Sequence, residues 1–210
     1  LKYLVRSRTC DRGIITTVHL ADQYEINNLR LPNNSIVIDI GAHIGIFTVY
    51  ISKKAGKIFS YEPIPENYEV LEKNIKLNGL EGKTKLFNYA VSGNNNKVRI
   101  YFSKINTGAH SSYGNGDHYI EVPAVALREL LDANNINQCD LLKIDAEGSE
   151  YEILFSLPKY YFSKIKRIYL EYHKINLKSE QESCSLLQEF LINNGFKVMN
   201  KMPILFAERN

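Results

Sequence analysis

The chain has 210 residues, 44% of them hydrophobic and 23% charged, with a formal net charge of +3. These are globular proportions, with length enough for a sizeable core. So small a positive excess does not itself point to nucleic acid, and no apolar run approaches the ~20 residues a membrane span needs. The three cysteines, Cys10, Cys139 and Cys184, are widely spaced and form no C-x-x-C. Without a visible secretory leader, they read as reduced thiols in a cytoplasmic setting, not as a disulfide framework or zinc site. The first residue is Leu1, not Met, which leaves room for a leader or anchor upstream.

Residues 1–34 read as a lead-in, with a short strand over Ile14–Leu20 and a polar turn at Leu31-Pro32-Asn33-Asn34. Ile36–Ile40 is a nearly all-apolar run, as expected of a strand covered on both faces. Ile44, Phe47, Thr48, Ile51 and Ala55 then recur at helical spacing, and a second strand covers 57–62. A helix from Pro65 to about Asn78 has proline in its first turn and Gly79 just past its end. Lys83–Tyr89 is a third strand. Lys97–Phe102 and Tyr119–Val125 alternate like strands around the glycine-rich, polar stretch 107–118, which predicts an inserted β-hairpin around 97–125 whose tip has the length of a functional lid. Further on come a helix over Leu127–Asn134, a buried strand over Asp140–Asp145, a helix over Ser149–Leu157 and a strand over Ile165–Tyr172. The long helix Ser179–Asn194 precedes a terminal hairpin, Phe196–Met199 with Ile204–Ala207. Strands alternating with helices mean an α/β, doubly wound, mainly parallel sheet. With neither repeat nor linker, 35–210 reads as one domain on which the lead-in packs.

The first strand, turn and helix, followed by Ile58-Phe59-Ser60-Tyr61-Glu62-Pro63, form one βαβ unit with a crevice at its carboxyl edge. Gly41 can take positive φ and leaves room for a ligand, Gly45 permits close helix packing, and free amides at the helix start would favour an anionic group. A nicotinamide-binding turn would read G-x-G-x-x-G, but His43 stands near its middle-glycine position and crowds a pyrophosphate. Glu62 would accept ribose hydroxyls in either cofactor class, whereas Asp39 suits a cofactor that carries an ammonium, as S-adenosylmethionine does. A nicotinamide-dependent oxidoreductase and a non-catalytic nucleotide-binding module on the same fold are the rival readings.

A second cluster, Lys143-Ile144-Asp145-Ala146-Glu147-Gly148-Ser149-Glu150, lies at the carboxyl end of a central strand. Its acids fit contact with a cationic cofactor or substrate, a divalent cation, or helix capping, the last especially for Glu150. Glu171 and His173 end the next strand two residues apart, on one face if the strand continues. A histidine there can act as general base near neutral pH. The expected base is His173 supported by Glu171, with Asp145 as competitor and His110 of the hairpin tip as a third candidate.

These residues resemble the FkbM-type methyltransferases, a branch of the S-adenosylmethionine-dependent class I fold. The resemblance spans roughly 18–200 and rests on V-I-D-I-G-A-H-I-G-I-F-T at 37–48, Y-E-P at 61–63, N-Y-A-V-S at 88–92, G-A-H-S-S at 108–112, L-L-K-I-D-A-E-G-S-E at 141–150 and L-E-Y-H at 170–173. It implies a seven-stranded sheet with an antiparallel C-terminal hairpin. It also implies a donor site in which Asp39, Gly41, Ala42, His43 and Gly45 line the methionine part. Glu62 and Pro63 then stand at the ribose, Asn88 and Ala90 near the adenine, and Asp145 at the methionine end or the acceptor. His43 departs from the asparagine usual in the family. The implied activity is O-methylation of a hydroxyl on a sugar or small secondary metabolite, so the expected partner is a small-molecule or glycan acceptor; no nucleic acid and no membrane segment are expected, and no residue is assigned to a metal. The lead-in and 103–118, which would shape the acceptor pocket, carry no motif that identifies the acceptor.

Overall fold

The computed structural model of the protein describes residues 1–102, 110–111, 119–174 and 180–209. The lead-in folds first into α1 (Asp11–Ile15), continued by a π-helical turn over Thr16–Leu20. The strand expected at Ile14–Leu20 is therefore helical. Ile14 and Val18 stand four apart on one helical face and both reach the same cavity, while Val18 also joins a core cluster with Phe47 and Tyr50. Thr17 satisfies its hydroxyl on the carbonyls of Gly13 and Ile14. Tertiary packing thus overrides the strand preference of a β-branched run.

The central layer is built from short apolar strands. In chain order these elements are β1 (Ile36–Ile40), α2 (Ile46–Ile51), β2 (Lys57–Tyr61), α3 (Pro65–Leu77), β3 (Thr84–Phe87), β4 (Ala90–Ser92), β5 (Val98–Phe102), β6 (His110–Ser111), β7 (Tyr119–Val122), β8 (Ala124–Ala126) and α4 (Leu127–Ala133). The second half adds β9 (Leu141–Ile144), α5 (Glu150–Phe155), α6 (Lys159–Phe162), β10 (Arg167–Glu171), α7 (Glu180–Asn193), β11 (Lys197–Lys201) and β12 (Ile204–Glu208). Seven strands form one sheet in the order β11-β12-β10-β9-β1-β2-β3. β10, β9, β1, β2 and β3 run parallel, and β12 pairs antiparallel with both β10 and β11. That is the doubly wound, mainly parallel sheet with a terminal antiparallel hairpin that the sequence predicts. Val37, Ile38, Ile58, Leu141, Leu142 and Ile168 are fully buried, as strands covered on both faces require.

Two smaller sheets sit beside it. β5 pairs antiparallel with β7 and β6, which is the inserted hairpin, and β4 pairs parallel with β8. Most of the expected lid stretch 107–118, and with it the side chain of His110, lies outside the described residues. The expected third strand ends early, at Phe87. Asn88 stands where the chain leaves the main sheet, its amide donating to the carbonyls of Glu62 and Pro63 at 2.8 and 3.1 Å.

β1 lies between β2 and β9, so the carboxyl ends of β2, β1, β9 and β10 form one edge. The chain order reverses direction at β1 and β9, and in open α/β sheets ligands bind outside that switch point. The lead-in is tied over this edge: Asn74 exchanges hydrogen bonds with the backbone of Leu4 at 2.6 and 3.1 Å, and Arg6 grips the fully buried Asp11 through two nitrogens.

Candidate active site

A cavity of about 430 Å³ opens at this edge. Gly41, Ala42, His43, Glu62 and Pro63 form its β1–β2 wall, and Lys143, Asp145, Glu147 and Glu171 its β9–β10 wall. Ile64, Ala90, Val98 and Ile100 make an apolar end, while Cys10, Ile14, Thr17, Val18, Gln23 and Tyr24 cover it from the lead-in.

Gly41 sits at φ +74°, and a Cβ there would fall 1.8 Å from the carbonyl oxygen of Asp145, so the turn needs glycine twice over. Gly45 (φ +85°) serves packing: a Cβ would meet Leu71 Cδ1 of α3 at 2.5 Å. The amides of Gly41 and Ala42 both donate to Tyr61 O, that of His43 to Glu62 Oε2, and that of Gly45 to Ala42 O. These four amides of the turn ahead of α2 are thus paired within the protein.

Glu62 is 4% exposed and also accepts from the Ile64 amide at 3.0 Å and Asn67 Nδ2 at 3.1 Å. Burial pushes its carboxyl up to about 6 against these donors. Asp39 is fully buried behind the wall: it accepts from Thr48 Oγ1 at 2.6 Å and lies 3.2 Å from Lys143 Nζ. Lys143 in turn donates to Gly41 O at 2.8 Å and reaches Asp145 at 3.6 Å. Burial opposes its charge, but Asp39 and Asp145 hold the ammonium above its usual range. His43 takes a left-handed backbone (φ +51°) and is pushed down to about 4, chiefly by burial, so its ring is neutral. Arg6 Nη2 lies 3.0 Å from its Nε2, and since a guanidinium can only donate, Nδ1 carries the ring proton. That Nδ1 is buried with no hydrogen-bond partner among the described residues.

At the other wall, His173 Nδ1 lies 2.8 Å from Oε1 of the fully buried Glu150, and Nε2 lies 3.4 Å from Glu147 Oε2. Burial opposes protonation of this ring, yet its hydrogen bond and charge pairing with Glu150, aided by Glu147 and Asp145, push it up to about 10. One expectation fails on that geometry: the partner of His173 is Glu150, whereas Glu171 is hydrogen-bonded by Tyr24 and Gln23, each at 2.9 Å. The carboxylates around His173 favour its protonated form, against the base role expected of it. Glu150 also accepts the amides of Ala146 and Gly148, which precede α5, so its side chain ties the preceding turn and does not cap the helix. Glu147 and Glu171 are both raised, first by burial and then by neighbouring charges, Asp145 among them, with Glu147 reaching about 7.

Of the residues expected from the sequence, Gly41, Ala42, His43, Glu62, Pro63, Ala90, Asp145 and Glu171 come together around the cavity, while Asp39, Gly45, Asn88 and His173 stand behind its walls. No role was expected of Lys143 or of any individual lead-in residue. Lys143 carried a signal, a lone charge in the buried run L-L-K-I, whereas Arg6, Gln23 and Tyr24 carried none.

Residues 39–198 match the methyltransferase FkbM domain. The chain belongs to this methyltransferase family. Among relatives, it is 26% identical over 204 residues to methyltransferase sdnD of Sordaria araneosa, covering 81% of this chain and 78% of that one. It is 25% identical over 122 residues to the hexuronic acid methyltransferase AglP of Haloferax volcanii, covering 58% and 49%. Among solved structures it resembles methyltransferase FkbM from Methylobacillus flagellatus KT with a TM-score of 0.59 at 14% identity, over 92% of this chain but 47% of that one. The protein is a methyltransferase with a Rossmann-like sheet, and no helix among its described residues is long and apolar enough to cross a membrane.

Proposed function

We propose that this methyltransferase moves a methyl group from S-adenosylmethionine to a hydroxyl oxygen on a sugar or other small molecule. Glu62 carries the reading. It is a buried carboxylate at the end of β2, fixed by three donors and bordering the cavity next to the glycine turn. An acceptor so fixed matches a ribose diol. The remaining wall fits the rest of the donor: the apolar end of Ile64, Ala90, Val98 and Ile100 suits adenine, and the unpaired Nδ1–H of His43 suits an anionic carboxylate. Gly41, Ala42 and Pro63 flank it, Asp39 and Gly45 brace the turn from behind, and Asn88 fixes the Pro63 carbonyl.

When bound, S-adenosylmethionine supplies an electrophilic methyl on a sulfonium. The chain must then align an acceptor oxygen and exclude water, and positioning of this kind contributes about 7–11 kcal/mol. Asp145 and Glu171 border the acceptor side and favour the cationic donor. His173 acts as a fixed imidazolium behind them. AglP, whose name describes a hexuronic acid methyltransferase, supports a sugar-type acceptor.

Calorimetry with S-adenosylhomocysteine tests the donor assignment. Hydrogen bonds to a charged acceptor are worth about 1.5–3 kcal/mol each, so Glu62→Ala weakens binding at least tenfold while circular dichroism shows the fold intact. Unchanged affinity, or tight binding of NADH in place of the nucleoside, overturns the assignment.

A further inference from the structure

The carboxylate assigned to the donor's ribose is braced from outside its own wall. We propose that Arg6 of the lead-in is a positioning residue for Glu62, so that the donor site is complete only with the lead-in docked; the inference rests on the donor reading above. Four residues close a ring of hydrogen bonds. Arg6 Nη1 donates to Asn67 Oδ1 at 2.7 Å, and Asn67 Nδ2 donates to Glu62 Oε1 at 3.1 Å. On the other side Arg6 Nη2 donates to His43 Nε2 at 3.0 Å, and the His43 amide donates to Glu62 Oε2 at 2.8 Å. Both oxygens of Glu62 are thus held by residues that Arg6 itself touches.

The polarity of the ring is set at Arg6, because a guanidinium donates and never accepts. Asn67 is buried, and it must turn its amide oxygen to Arg6, which leaves its NH₂ for Glu62. Turned the other way, it would set oxygen against the carboxylate and NH₂ against the guanidinium. His43 must likewise offer Nε2 as an acceptor. Arg6 is fixed in turn by the fully buried Asp11, which accepts from its backbone amide at 2.8 Å, from Nε at 3.1 Å and from Nη2 at 2.9 Å. Only a forked head reaches Asp11, Asn67 and His43 together, and a lysine ammonium does not.

The lead-in has other fastenings. Asn78 exchanges hydrogen bonds with the backbone of Lys2, as Asn74 does with that of Leu4. Neither of these ties involves Glu62, so holding the lead-in down does not by itself call for the contacts of Arg6 with Asn67 and His43. Arg6 also lies ahead of residues 39–198, the stretch that matches the family domain. The ribose carboxylate inside that stretch therefore takes its orientation from a side chain outside it.

Two variants test the link from its two ends. Arg6→Lys keeps a cation for Asp11 and loses the fork. Asn67→Ala cuts the link and leaves the Arg6–Asp11 pair in place. Calorimetry compares S-adenosylhomocysteine with its 2′,3′-dideoxy analogue on the full chain. Each variant weakens S-adenosylhomocysteine by about 3–10-fold, the worth of about one hydrogen bond, and leaves the dideoxy analogue at its wild-type affinity. Equal losses for the two ligands make Arg6 a clamp on the lead-in alone and overturn the proposal, as does wild-type affinity for S-adenosylhomocysteine in either variant.

A ligand-free readout separates this link from the donor reading. With glutamate Cδ labelled, the carboxyl signal that vanishes in Glu62→Gln titrates at about 6 in the wild type. In Arg6→Lys it moves upward, because the Asn67 and His43 donors that restrain it loosen while the carboxyl stays buried. Undocking of the lead-in alone would expose the carboxyl and move the signal downward. An unchanged or lowered value overturns the proposal. A wild type that binds no S-adenosylhomocysteine, with the Glu62 signal still rising in Arg6→Lys, upholds the link and counts against the donor reading.

Discussion

The two walls of the cavity are built on opposite plans. The β1–β2 wall is contiguous in sequence and closed on itself: the amides of its glycine turn are spent on Tyr61 and Glu62, and Asp39, Thr48, Ser60 and Lys143 form a buried network behind it. The β9–β10 wall is gathered from distant segments, with Tyr24 and Gln23 of the lead-in meeting Glu171 across nearly 150 residues of chain. Glu147 and His173 in it stay partly exposed, and their surroundings push both above their ordinary values. A donor common to many reactions can be met by a fixed cradle, whereas proton transfer needs groups whose charge can change. Damage to the buried network behind the first wall, to which Lys143 contributes its ammonium, should therefore cost folding, and damage to the exposed groups of the second should change pH behaviour while the fold survives.

The strongest way to break this contrast is Lys143→Met. Lys143 is 4% exposed at its side chain and is the cation beside Asp39. Removing one partner of a buried pair leaves an uncompensated charge, at about 3–5 kcal/mol. Urea denaturation should register a loss of that size, and wild-type stability would show that the network does not hold the wall. Gly41→Ala comes next. Its new methyl would overlap the Asp145 carbonyl and sit at unfavourable φ, so overpacking alone destabilises by about 1–3 kcal/mol, again read by urea. Smaller again is the pH response of donor binding. Glu62 has its carboxyl near 6, and only the carboxylate offers full acceptor strength. S-adenosylhomocysteine affinity should fall as the pH drops through about 6, by up to about tenfold per pH unit, and Glu62→Gln should abolish the slope.

The same contrast decides what the sequence revealed. The β1–α2–β2 wall announces itself because its cues are local: an apolar run, two glycines at a turn, helical periodicity, a terminal acid. The Ile14–Leu20 segment was misread because β-branched residues favour strands until a neighbouring surface offers a better burial, here Phe47 and Tyr50. The pairing of Glu171 with His173 failed for a geometric reason. Alternation puts them on one face only while the strand continues, and β10 ends at Glu171. Beyond it the chain turns His173 toward Glu150, a contact no spacing rule encodes.

A pH scan of stability separates the walls most sharply. The His173 pKa is raised from 6.5 to about 10 in the folded chain. A group whose folded value exceeds its unfolded value gives stability that is fully present below 6.5 and is lost as the pH climbs through about 10. Glu147 is also raised, from 4.5 to about 7, so its contribution fades in a lower window. Between neutral pH and about 8 the decline belongs to His173; above that the Cys10 and Cys139 thiols, which burial pushes up, add to it. The wild-type Tm should fall across that interval, and in His173→Asn, which keeps a neutral donor near Glu150, the curve should flatten while donor affinity stays unchanged. A variant that melts with the wild-type slope would mean the imidazolium is not part of the fold's charge balance, and the second wall would then be as static as the first.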